Sequence, residues 1–177
     1  GDHYQFNAKK YAADPEAMTE EIRRACRLAM DAGYRNIDID SSTLVDLSKP
    51  NLDEEQKENY TRAAELTALI RSLEVDGATV SVGGEIGEVG KVNSTVEELQ
   101  AYLDGYRREL REYGPDLIGL SKVSVQTGTS HGGVPLPGEL EPPAARGSIA
   151  LAAELVGVAQ RALDMAVEYA KERQQFD

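Results

Sequence analysis

A chain of 177 residues can bury one ordinary core, or one modest domain with an appendage, and is too short for two full enzyme domains. With 41% hydrophobic and 28% charged residues the composition is globular, neither disordered nor fibrous. The 31 acidic residues outnumber the 19 basic ones, and the resulting formal charge of −12 repels nucleic acid and anionic lipid, so neither is an expected partner.

The chain opens with Asp2 beside His3 and has no initiator Met, from which an upstream segment is expected to be missing. No signal peptide and no apolar run of the ~20 residues that cross a bilayer are found, so a cytoplasmic location and no membrane partner are expected. The single cysteine, Cys26, excludes an internal disulfide and reads as a small core residue among Ile22, Ala25, Ala29 and Met30.

Asp14 followed by Pro15 reads as the N-cap and first residue of a helix with Ile22, Cys26, Ala29 and Met30 on its buried face and Gly33 as its stop. Residues 34–42, YRNIDIDSS, then read as a strand. Asn51 and Glu54 have capping-box spacing ahead of a helix with the face Ala63, Leu66, Ile70 and Leu73, and TVSVGG at 79–84 is the next strand. Ser94 and Glu97 are read as the cap of a third helix, with Val96, Leu99, Leu103, Tyr106, Leu110 and Tyr113 on one side. LIGLSKVSVQ at 117–126 follows as an apolar strand.

Strands separated by helices of this length pair in parallel through right-handed crossovers, which makes the class α/β. Polar clusters are read just after each strand: GDH at 1–3, DIDSS at 38–42, GGEIGE at 83–88 and QTGTSHGG at 126–133. Chemistry gathered at strand C-termini is the barrel pattern, although open sheets share it in weaker form, and no glycine-rich nucleotide loop opens any helix. The predicted fold is a partial (β/α) TIM-type barrel over residues 1–131, with about four strand ends and three helices. Residues 132–147 hold four of the seven prolines and read as a linker. One long amphipathic helix over 148–177 follows, striped by Ala152, Leu155, Ala159, Leu163, Ala166 and Ala170.

Both histidines fall in polar clusters, in company with Asp2, Glu85 and Glu88. A catalytic zinc takes about three nitrogen or oxygen ligands and an open position, for which His3, His131 and Glu85 are the candidates.

These segments resemble the zinc-dependent class II fructose- and tagatose-bisphosphate aldolases. GDHYQFNAKK is similar to their Asp-His segment, SSTLVDLS to the segment after their next strand, GGEIGEVGK to their Glu-x-Gly loop and QTGTSHGGVPLP to their second zinc-histidine segment. The resemblance covers about residues 1–138 in order. It implies zinc on His3 and His131 with Glu85 in support, Asp2 as the acid at the aldehyde carbonyl, and Glu88 as the base that takes the substrate proton. It also implies Ser41 and Gly132 at the substrate, a phosphorylated ketose or triose. The family's third zinc histidine and its phosphate loops have no counterpart here, so this chain alone is expected to be inactive.

The tail, AAELVGVAQRALDMAVEYAKERQQF, resembles the first long helix of the C-terminal domain of acyl-CoA dehydrogenases. That likeness implies Arg173, Gln175 and Phe176 near a flavin, but the domain that holds FAD has no counterpart, and FAD is not expected in this chain. The alternative to an aldolase-like protein is a non-catalytic fragment or fusion of the two segments, or a dehydrogenase remnant. On either reading the half barrel is expected to leave edges and an apolar sheet face that the terminal helix covers, or through which the chain self-associates.

Overall fold

The computed structural model describes residues 3–75, 77–86 and 94–125. The chain separates into two units, 1–137 and 138–177, and every described residue belongs to the first. Four strands, β1 (His3–Gln5), β2 (Asn36–Asp40), β3 (Ser81–Glu85) and β4 (Lys122–Ser124), form one parallel sheet in the order β1-β2-β3-β4. The helices are α1 (Ala8–Ala13), α2 (Pro15–Asp31), α3 (Leu52–Leu73) and α4 (Val96–Tyr113).

Local chemistry explains the helix ends. The Asp14 side chain accepts from Ala17 N with Pro15 in the first helical position, as read from the sequence. At the other end of α2, Gly33 N donates to Met30 O, Tyr34 N to Ala29 O, and Gly33 takes φ 82°, a Schellman stop. Asn51 caps α3 through Glu54 N. The cap of α4 departs from expectation by one residue: Thr95 and Glu98 form the reciprocal box, not Ser94 and Glu97. The short helix α1 was not foreseen; Asn7 caps it by accepting from Lys9 N and Lys10 N.

The strands alternate, and their apolar parity faces the helices. Ile37, Ile39 and Val82 are buried with Met18, Ile22 and Cys26 of α2 and Leu66 and Ile70 of α3. Ile86, just past β3, is buried with Tyr60, Ala63 and Ala64 of α3 and Tyr102, Tyr106 and Leu110 of α4. The face of α4 is therefore rotated from the predicted one: Val96 and Tyr113 stand 78% and 53% exposed, while Tyr102, absent from the predicted stripe, is fully buried. The strand read over 117–126 is confined to Lys122–Ser124, with Leu117 and Leu120 packing on the core from the preceding loop.

Among the described residues, a sheet whose order follows the chain, with α2, α3 and α4 packed on one side, lacks the order reversal of a doubly wound nucleotide fold. The opposite parity of the strands is polar: His3, Gln5, Asp38, Asp40, Glu85 and Lys122. The expectation of an apolar second face is corrected on that point. The predicted linker and terminal helix lie outside the described residues. Among the described residues no helix is long and apolar enough to cross a membrane.

Candidate metal centre

The polar face is built by strand register. Gln5 pairs with Asp40, and Glu85 with Ser124, so the last residues of the four strands form one row. His3, Asp38, Gly83 and Lys122 form the row beneath it. GDH therefore does not follow a strand as read; His3 is the first residue of β1. These rows line a cavity of about 360 Å³ that includes His3, Asp38, Asp40, Glu85, Lys122 and Ser124.

At its upper end, one ligand atom each from His3, Asp40 and Glu85 lies within 4.8 Å of the others. Asp40 is the centre of this group and is only 2% exposed. Its Oδ1 accepts from Ser42 N at 3.1 Å and Ser42 Oγ at 2.6 Å. Its Oδ2 accepts from Gln5 Nε2 at 2.5 Å and stands 3.2 Å from His3 Nε2. Buried carboxylate oxygens need hydrogen-bond donors or a cation in place of the lost water, and here the donors are present.

The lower end is differently charged. Lys122 Nζ donates to Asn36 Oδ1 at 2.6 Å and to Asp38 Oδ2 at 3.1 Å, and lies 2.8 Å from Asp38 Oδ1. Asp38 and Lys122 come from strands on either side of β3 and meet over Gly83, where a Cβ would fall 2.0 Å from Asp38 Oδ1. A side chain at that position would separate the pair.

Behind the sheet, the Tyr102 hydroxyl approaches β3 where Gly84 leaves room. Burial, and then the charges of Tyr106, Asp40 and Glu85, push this phenol well above its usual range. Among the described residues, Tyr102 Oη and Gln56 Nε2 are buried polar atoms without a partner. Gln56 Oε1 accepts from Asn59 Nδ2, which also donates to Glu85 O, tying the end of β3 to α3.

Of the residues singled out from sequence, His3 and Glu85 lie together, with Asp40 between them in the cluster. Ser41 is fully buried at the end of β2, and its hydroxyl donates to Asn59 O and Oδ1. Asp2, Glu88, His131, Gly132, Arg173, Gln175 and Phe176 lie outside the described residues. Asp40 was missed as a ligand, although the alternation in NIDID carries the signal: with Ile37 and Ile39 facing the core, Asp38 and Asp40 must share the opposite face. A second depression, about 300 Å³ and lined by Leu103, Tyr106, Leu110 and Leu117, holds no carboxylate or imidazole. Comparison with models of known families, with curated proteins and with solved structures finds no match, so the function must be argued from the site.

Proposed function

We propose that the chain is a zinc-binding protein of the class II ketose-bisphosphate aldolase type, with a site for a phosphorylated ketose or triose and no aldol cleavage as this chain alone. The observation that carries this reading is the convergence of His3, Asp40 and Glu85 on the polar face of a sequentially ordered parallel sheet. The donor set fits the group: one imidazole nitrogen and two carboxylates are suited to zinc, and two adjacent carboxylates gain from a dication between them. The single-sided packing of the helices supports the barrel-type half sheet that the sequence resemblance implies.

In this reading His3, Asp40 and Glu85 hold the ion. When bound, it supplies Lewis acidity at a carbonyl oxygen. Asp40 is held in place by its Ser42 and Gln5 donors, and the Lys122–Asp38 pair gives the cavity floor a donor for a substrate hydroxyl. Asp2 precedes His3 directly and Glu88 follows Glu85 by three residues, so both carboxylates assigned to proton transfer are tethered to the cluster by the chain itself. His131 joins the ligand set by resemblance.

The test is ligand binding. Zinc-loaded protein is expected to bind dihydroxyacetone phosphate in a calorimetric titration, chelation or Asp40→Asn to abolish it, and aldol cleavage by this chain alone to stay negligible. Absence of zinc-dependent binding by protein that carries zinc contradicts the aldolase assignment.

A further inference from the structure

We infer that Ser42 and Gln5 are positioning residues that aim the Asp40 carboxylate at a bound cation; this rests on the metal-site reading above. A carboxylate has two oxygens with about four acceptor sites between them. On Asp40, Oδ1 accepts from both the main-chain N–H and the hydroxyl of Ser42, while Oδ2 accepts from Gln5 and faces His3. Oδ1 is thereby committed, and Oδ2 is the oxygen presented to the cluster.

Ser42 is itself 2% exposed, so its hydroxyl reaches a ligand only through Asp40. Gln5 approaches from the neighbouring strand, at the register position opposite Asp40. Its amide takes one acceptor site of Oδ2 and leaves another directed at His3 Nε2, 3.2 Å away. Together the two residues fix both the rotation of the carboxylate and the choice of ligand atom. Without them Asp40 would have to be ordered by the cation itself, which weakens binding.

The experiment measures zinc affinity of the full chain by competition with a chromophoric chelator, alongside thermal unfolding of the metal-free protein. Ser42→Ala keeps the main-chain donor and removes only the hydroxyl; Gln5→Met keeps the length and removes the amide, at an exposed position, and the unfolding curves separate any loss of stability from loss of zinc. Each is expected to weaken zinc about 10- to 100-fold, the usual effect of losing an outer-shell partner. Thr67→Ala, which removes a buried hydroxyl on α3 that donates to Ala63 O, is the control: it lowers stability and leaves zinc affinity unchanged. If Ser42→Ala and Gln5→Met both bind zinc as tightly as wild type, the positioning role is overturned while the metal site stands. If wild type binds no more tightly than Asp40→Asn, the site and the positioning role fall together.

Discussion

Asp40, Tyr102 and Cys26 are three ionisable groups that folding removes from water, and each is accommodated differently. Asp40 is supplied with donors from Ser42 and Gln5. Tyr102 has no partner for its hydroxyl among the described residues. A buried hydroxyl without a hydrogen bond costs about 1–3 kcal/mol, so Tyr102→Phe is expected to leave the urea midpoint unchanged or raise it. A marked loss of stability would reveal a partner. Cys26 is fully buried on α2, and burial pushes its thiol up to about 11. The folded state thus retains a proton that the unfolded chain releases near pH 9. Its contribution is complete below that pH and is lost as pH rises toward 11. Its contribution to stability is about 2–3 kcal/mol. Denaturant titrations from pH 8 to 11 are expected to show a steeper alkaline decline for wild type than for Cys26→Ala, and parallel curves would contradict this.

Among the elements, the α3–α4 crossing depends on Gly105. A Cβ there would sit 2.4 Å from the Tyr60 ring, closer than any carbon contact allows. Gly105→Ala gains about 1 kcal/mol of helix propensity but forces the helices apart, and overpacking of this kind costs about 1–3 kcal/mol. Net destabilisation by thermal unfolding is expected, and a stabilised variant would show that the crossing is loose. The sequence showed these helices well because caps and apolar spacing are local signals. It misplaced the α4 cap because Ser94–Glu97 and Thr95–Glu98 have identical spacing one residue apart, and only the backbone decides between them. The rotation of the α4 face has a different cause: Tyr102 is buried by the gap that Gly84 leaves in a distant strand, which no periodicity within the helix encodes. At β4 the apolar run was legible but its paired portion was not. Arg71 fixes the preceding loop by donating to Ile118 O and Gly119 O, interactions from a different element altogether.

For the molecule as a whole, strand order and face polarity decide what the sheet can do. The α/β class and the parallel pairing followed from the alternation of helical and strand segments. The sequential order, with helices on one side, is set by tertiary packing, since crossover length alone does not distinguish open from barrel-type sheets. Two of the three clustered residues were legible: His3 and Glu85 were named because their residue types and sequence context drew attention. Asp40 was not, because its role depends on register, which brings residues of three strands together on one face and leaves a buried carboxylate beside an imidazole. The central claim is that this cluster binds a divalent cation. The most direct measurement is the zinc content of the folded protein after dialysis, with Asp40→Asn and His3→Ala beside it. About one zinc per chain in wild type, lost in both variants, is the predicted result. Equal zinc in wild type and Asp40→Asn, or none in any of the three, would contradict the claim.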